Sequence, residues 1–179
     1  MTEPSPDELL LRRFLDRRDE RAFDALYHRH TPRMYGLALR LTAGDEAEAI
    51  EVVQEGWVRA VSALAGFGGR ARLSTWLCGI CVNVWRERLR RARPLVSLGE
   101  ADPGVDPPDT LRGIDLGRAL DRLPPGYRAV LVLHGMYGYP HAEVARMLGV
   151  AEGTSKSQYL RGRRALREAL MHTDEEMDP

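Results

Sequence analysis

The chain has little cysteine: two residues in 179, Cys78 and Cys81. Two thiols cannot build a disulfide framework, which excludes the small stapled extracellular scaffolds. Long apolar runs are missing too, and none approaches the roughly 20 residues that a membrane-spanning helix needs. The opening MTEPSPDELL carries no basic, apolar leader, so the expected compartment is the cytoplasm, with both cysteines as thiols. Neither charge is in excess, 26 Lys+Arg standing against 26 Asp+Glu, which argues against indiscriminate nucleic-acid binding through global charge. No segment reads as β-rich. What is present, 44% hydrophobic and 29% charged residues, suits a globular chain with one ordinary domain or two small ones.

The charges are balanced but segregated. Asp45, Glu46, Glu48, Glu51 and Glu55 make an acidic block. Arg70, Arg72, Arg86, Arg88, Arg90, Arg91 and Arg93 make a basic block opposed only by Glu87, and Lys156, Arg161, Arg163, Arg164 and Arg167 make a second. Two basic segments and one acidic segment point to two nucleic-acid contacts and one protein contact, the plain alternative being solvated helix faces.

Nearly everything outside residues 95–112 reads as helix. Ser5-Pro6-Asp7-Glu8 is a start signal: a capping hydroxyl, a first-turn proline, then acids that suit the helix dipole. From Asp19 to Leu41, residues Phe23, Leu26, Tyr27, Met34, Leu37 and Leu41 recur at near-helical spacing, with Pro32 expected to break or kink the helix. From Asp45 onward, Ile50, Val53, Trp57, Val58, Val61 and Leu64 fall on one stripe. The loop GFGGR (66–70) precedes a helix from about Leu73 to Arg93, which Pro94 ends. Residues 95–112 hold Pro103, Pro107 and Pro108, two glycines and several acids with no apolar period, the signature of a linker and a domain boundary. Helical patterning resumes near Ile114; Leu120 and Leu123 precede Pro124-Pro125, a turn and then a first-turn proline, and Val130, Leu131 and Leu133 supply the next buried face. The expected architecture is all-α: two small helical domains, 1–94 and 113–179, joined by a flexible linker, with a helix-turn-helix in the second.

Residues 139–167 have that layout. Val144, Ala145 and Leu148 form the buried side of a short helix, Gly149 supplies the tight turn, and Val150 plugs the core behind it. A second helix begins near Gly153-Thr154 and puts Thr154, Lys156, Ser157, Leu160 and Arg161 towards its outward N-terminal side, where such a helix enters the major groove. Arg163, Arg164 and Arg167 lie further along, at the place for phosphate contacts. No acid occurs between Gly153 and Arg167.

On the helix from Leu73, a turn of about 100° per residue gathers Leu73, Leu77, Ile80 and Val84 on the core side. Arg72, Trp76, Asn83, Arg86 and Arg90 share one flank, an aromatic plane, an amide and guanidinium groups suited to single-stranded nucleic acid; taken alone, Trp76 reads more readily as core. Cys81 falls at the edge of the core face, with Cys78 and Trp85 beyond it. A redox C-x-x-C sits at a helix N-terminus, and a zinc site needs four ligands. This pair lies inside a helix and has no partner pair, so both thiols are expected to be structural.

The segments AFDALYHRHTPRMYGLALRL, DEAEAIEVVQEGWVRA, GFGGRARLSTWLCGICVNVWRERLRR and LDRLPPGYRAVLVLHGMYGYPHAEVARMLGVAEGTSKSQYLRGRRALR, in this order, resemble the extracytoplasmic-function (group 4) sigma factors of bacterial RNA polymerase, over about residues 8 to 170. The resemblance implies a non-enzymatic protein with no cofactor and no small-molecule substrate. It implies core polymerase binding through the VVQEGWVRA helix, with Glu51, Gln54 and Glu55 in contact. The single-stranded −10 promoter element would meet Phe67, Arg70, Arg72, Trp76, Asn83, Arg86 and Arg90, with Asn83 the leading candidate for holding a flipped base and the 66–72 loop as its pocket wall. The duplex −35 element would meet Thr154, Lys156, Ser157, Leu160, Arg161 and Arg164. The acidic linker would lie along the polymerase's RNA path, and an anti-sigma factor is an expected partner. Four departures stand out: Gln158 where the family has arginine, Gly162 where alanine is common, Pro140 in place of a capping serine, and the two cysteines. Two rivals predict different behaviour, an autonomous helix-turn-helix regulator and a sensor working through Cys78 and Cys81.

Overall fold

The computed structural model describes residues 5–92, Leu98 and residues 116–174, with side chains to 170. The expected linker lies outside the described residues except for Leu98, as do the expected domain limits at 94 and 113.

Helix α1 (Pro6–Arg17) starts at the capping hydroxyl anticipated from its first residues, and the structure closes it as a capping box. The Ser5 hydroxyl accepts from the Glu8 amide at 3.3 Å, and the Ser5 amide donates back to the Glu8 carboxylate at 2.8 Å. Arg18, with φ 53°, ends α1, and Asp19 caps α2 (Glu20–Leu41) by accepting from the amides of Arg21 and Ala22. Pro32 does not break α2, contrary to expectation. Buried residues flank it on both sides (Leu26 and His30 before, Met34, Leu37, Ala38 and Leu41 after), and that burial against α1, α3 and α4 offsets the roughly 3 kcal/mol cost of an interior proline.

Ala43 and Gly44, both with positive φ, turn the chain into α3 (Glu46–Ala63), capped by Asp45. The single apolar stripe expected on α3 divides. Val53, Trp57 and Leu64 are buried, whereas Ile50, Val58 and Val61 face solvent. The buried arc instead runs through Ala49, Val52, Gly56 and Ala60, small residues that let α3 approach α2 and α4 closely. A β-carbon on Gly56 would stand 3.3 Å from the Cys81 sulfur.

A tight turn at Leu64–Gly66 and an exposed loop lead to α4 (Leu73–Ala92). Its buried face is wider than the spacing suggested: Leu77, Cys78, Cys81, Val82, Val84 and Trp85 are all buried, and Ile80 only partly. Cys78 and Trp85 are therefore core residues. The reason is tertiary, because α4 is enclosed by α2, α3 and a helix from the second half of the chain.

That second half comprises α5 (Leu116–Asp121), α6 (Pro125–Val130, prolonged by a π-helical turn through Met136), α7 (His141–Leu148) and α8 (Glu152–Asp174). No strand occurs among the described residues. Pro125 opens α6, and α7 follows Pro140 with no side-chain cap. Gly149, φ 67°, closes α7 in the left-handed conformation that needs no Cβ. The two helical groups are packed together: Leu77, Cys78 and Trp85 belong to one continuous core with Val132, Leu133, Tyr139, Val144 and Leu148.

Candidate nucleic-acid and polymerase interfaces

Helix α8 is anchored on one side and open on the other. Ser155 and Gln158 are buried, the Ser155 hydroxyl pairing with His141 Nδ1 at 2.9 Å. Lys156, Ser157, Leu160, Arg161 and Arg164 are exposed and Thr154 is half-buried. Leu160 is 65% exposed, an apolar side chain set among cations on a solvent face. Lys156 pairs with Glu152 at 2.7 Å and Arg164 with Glu168 at 2.7 Å, both exposed pairs of the kind that contributes little to stability.

Two departures from the family pattern acquire structural reasons here. Gln158 does not face solvent: its amide donates to the Leu98 carbonyl, over Gly126. The position therefore holds the chain before α5 against α8 rather than reaching for phosphate. Gly162 is buried, and a β-carbon there would lie 3.1 Å from Leu131 Cδ1 and 3.2 Å from Tyr127 Cβ. The missing methyl lets α8 sit against α6.

On α4 the expected flank is only partly assembled. Arg70, Arg72, Asn83 and Arg90 are exposed, and half-buried Trp76 packs on Phe67 with ring centroids 5.2 Å apart. The 67–73 loop and the start of α1 enclose a cavity of about 440 Å³ lined by Ser5, Asp7, Phe67, Arg70 and Arg72 among others. Asn83 and Trp76 are not among its walls. Arg86 departs furthest from expectation: it is half-buried and donates to the Met147 carbonyl at 2.9 Å, at the end of α7.

On α3, Glu51 and Gln54 are exposed and Glu55 is half-buried. Three of the five acids of the block are matched within the chain. Arg88 pairs with Glu48, Glu51 and Glu55, while Arg59 bridges Glu55 and Glu87 and holds the Glu87 carboxyl below the usual range. What reaches solvent beside Gln54 is the apolar row Ile50, Val58 and Val61, at 47%, 69% and 41% exposure. Sequence periodicity puts these on one stripe with Val53, Trp57 and Leu64. With Gln54 they fall on one solvent-facing side of α3 at helical spacing.

The thiols face inward. Cys78 and Cys81 have no exposed surface, and burial pushes both thiols up, away from the reactive thiolate. Among the described residues no group of three His, Cys, Asp or Glu is placed to hold a metal ion.

These features have relatives. A model of Sigma-70 region 2 matches residues 26–94, and one of Sigma-70, region 4 matches residues 114–166. The ECF RNA polymerase sigma factor SigM of Mycobacterium tuberculosis is 40% identical over 155 residues, spanning 85% of this chain and 79% of that protein. SigW of Bacillus subtilis is 29% identical over 171 residues, spanning 85% and 90%. Among solved structures, the sigma factor RpoE in complex with the anti-sigma factor NepR, from Bartonella quintana, superposes with a TM-score of 0.62 at 26% identity, over 83% of this chain and 96% of that one. CnrH in complex with the cytosolic domain of CnrY gives 0.61 at 25% identity, over 93% and 97%. The kinship runs through both helical groups, and the chain belongs to the extracytoplasmic-function sigma factors of the sigma-70 family.

Proposed function

We propose that this sigma factor docks on core RNA polymerase through the exposed face of α3, reads the duplex −35 element with the start of α8, and holds the opened −10 strand along α4 and the 66–72 loop. A sigma factor directs core polymerase to promoters and starts transcription. The observation that carries the residue assignment is the division of α8 into a buried side, Ser155 and Gln158, and a solvent side, Lys156, Ser157, Leu160 and Arg161. Arginine and lysine at a recognition-helix start pair with guanine edges, and Leu160 suits a thymine methyl.

The proposed polymerase contact is Gln54 with the Ile50, Val58 and Val61 row, and Glu51 at its edge. An apolar row with a polar rim is the usual anatomy of a protein interface. On α4 we assign Asn83, Arg72 and Arg90 to the displaced strand, with Phe67 and Trp76 as the stacking pair. The domains involved are 1–94 and 113–179, with the linker between them, in the cytoplasm. An anti-sigma factor is the expected antagonist, since the structural relative RpoE was solved in complex with the anti-sigma factor NepR. Run-off transcription with purified core polymerase tests the reading: wild type initiates at its promoter, Asn83→Ala loses opening, and Arg161→Ala loses −35 dependence. No polymerase-dependent transcript from the wild type would sink it.

Geometry adds a constraint. Elements centred about 25 base pairs apart are separated by about 85 Å along straight duplex. A compact chain of this size has a radius of gyration of about 16 Å. The packed arrangement cannot reach both, so the two helical groups must separate on a promoter.

A further inference from the structure

Two histidines meet at the joint of the helix-turn-helix. His134, in the π-helical turn after α6, and His141, the first residue of α7, stack with ring centroids 3.9 Å apart and planes at 23°. Both rings are half-buried, and each is tied through its Nδ1. His134 Nδ1 donates to the Tyr139 carbonyl at 2.8 Å; a carbonyl can only accept, so the neutral ring carries its proton there. His141 Nδ1 pairs with the Ser155 hydroxyl of α8 at 2.9 Å, and Ser155 has no exposed surface. Tyr159 of α8 makes T-shaped contacts with both rings, its centroid 4.7 Å from His134 and 5.6 Å from His141. The stack is therefore fastened to the first turns of the recognition helix, one residue before Lys156.

We propose that His141 links duplex binding to proton uptake: DNA laid on the start of α8 draws a proton onto this imidazole, so affinity for duplex rises as pH falls through the histidine range. The proposal rests on the reading of α8 as the duplex-facing helix. Few groups set the field on His141. The π turn contributes His134, and α8 contributes Lys156 and Glu152, which pair with each other at 2.7 Å, and Tyr159, whose ring lies 5.7 Å from the Arg163 guanidinium. Arg86 of α4 reaches α7 only at its far end, on Met147, and Arg33 of α2 lies over Tyr137. In the free chain burial, then His134 and Lys156, hold His141 below the ordinary histidine value, with Glu152 opposing them.

Duplex DNA reverses that balance. It carries about one negative charge per 1.7 Å of axis, and phosphates brought up to Lys156 favour the charged imidazole beside it. The stack limits the response to a single proton, because a second imidazolium 3.9 Å from the first is repelled. Well above the histidine range neither free nor bound protein holds the proton, and affinity is at its floor. Well below it both hold the proton, and affinity is at its ceiling. Between the two, the bound state holds more protons, so binding tightens on acidification, by about tenfold for each unit by which DNA raises the imidazole. Lysine and arginine contacts carry their charge throughout this range and give no such slope.

The test is fluorescence anisotropy of a fluorescein-labelled mixed-sequence duplex of roughly 20 base pairs, titrated with the full-length protein at low salt between about pH 8 and pH 6. Mixed sequence suffices, because phosphates rather than bases supply the field. The wild type is expected to bind about three- to tenfold more tightly at the acid end, with circular dichroism showing it folded at each pH. His141→Gln keeps a polar group towards Ser155 without titrating and should bind with an affinity independent of pH. His28→Gln, an exposed change on α2, should keep the wild-type slope. A second reading needs no variant: calorimetry of wild type and duplex near pH 6.5, in phosphate and in Tris, gives the protons taken up from the difference in heat, and about half a proton per complex is expected. No net uptake, a slope that survives in His141→Gln, or weaker binding on acidification would overturn the linkage while leaving α8 as the duplex-facing helix. No duplex binding by the wild type at any pH would overturn both.

Discussion

Arg86 Nη1 and the Met147 carbonyl oxygen, 61 residues apart in sequence, meet at 2.9 Å and join the centre of α4 to the end of α7. Arg86→Ala removes a charged donor from a half-buried carbonyl and should lower unfolding stability by about 1–2 kcal/mol. A urea melt checks this, and an unchanged midpoint would mean that the contact is not formed in solution.

Gly162 and Gly79 are both interior helix glycines, and helix propensity alone gives alanine an advantage of about 1 kcal/mol at each. The surroundings separate them. A β-carbon at Gly79 meets nothing within 4 Å, whereas one at Gly162 presses on Leu131 and Tyr127. Gly79→Ala should therefore stabilise by about 0.5–1 kcal/mol, while Gly162→Ala should destabilise by about 1 kcal/mol through overpacking. Thermal melts of the two variants should move in opposite directions.

His30 is buried, and burial lowers its pKa despite the Asp7 carboxylate 3.1 Å away. Burial likewise lowers that of His141, helped by stacked His134. Both imidazoles are then harder to protonate in the folded chain than in the unfolded one. The unfolded state takes up more protons as pH falls below the ordinary histidine value of about 6.5, so stability is whole above that value and declines below it. The denaturation midpoint should drop between pH 7.5 and pH 5.5, and His30→Gln should flatten part of that drop. A midpoint that rises on acidification would contradict the assignment.

Neighbouring positions on α8 should respond differently. Leu160→Ala changes an exposed side chain, so melting should be unaffected while −35-dependent transcription falls by about tenfold, on the order of the 1–3 kcal/mol carried by a base contact. Gln158→Arg restores the family's usual residue at a buried site and should lower stability without improving promoter binding.

Val58 is the most exposed member of the α3 row, at 69%. Val58→Lys should leave the melting curve in place and abolish co-elution with core polymerase, because a charge at the centre of an apolar contact is left unpaired. Co-elution equal to that of the wild type would move the polymerase surface elsewhere.

Some local signals were legible. The Ser5 capping hydroxyl, the first-turn prolines and the Gly149 turn act through atoms within a few residues, so neighbouring letters suffice to find them, whereas the reciprocal Glu8 bond and the Asp19 and Asp45 caps emerged from the structure. The outward side of α8 was legible for the same reason. Legibility failed wherever a helix meets more than one neighbour. Periodicity assigns one buried stripe per helix, but α4 is covered by α2, α3 and α7 and buries Cys78 and Trp85 as well. On α3 it could not tell which half of a broad apolar arc faces inward, so Ile50, Val58 and Val61 were grouped with Val53, Trp57 and Leu64.

By itself the sequence determined an all-helical chain, its caps and turns, its basic recognition helix and, through four ordered segments, its family. The tertiary structure alone decided that Arg86 caps α7, that Gln158 and Gly162 serve packing, and that Glu48, Glu51 and Glu55 of α3 are matched by Arg59 and Arg88. The physical reason is range. Caps and turns close within a few residues of chain, whereas the partner of a long cation is set by which helix end lies within its reach once the cores have joined.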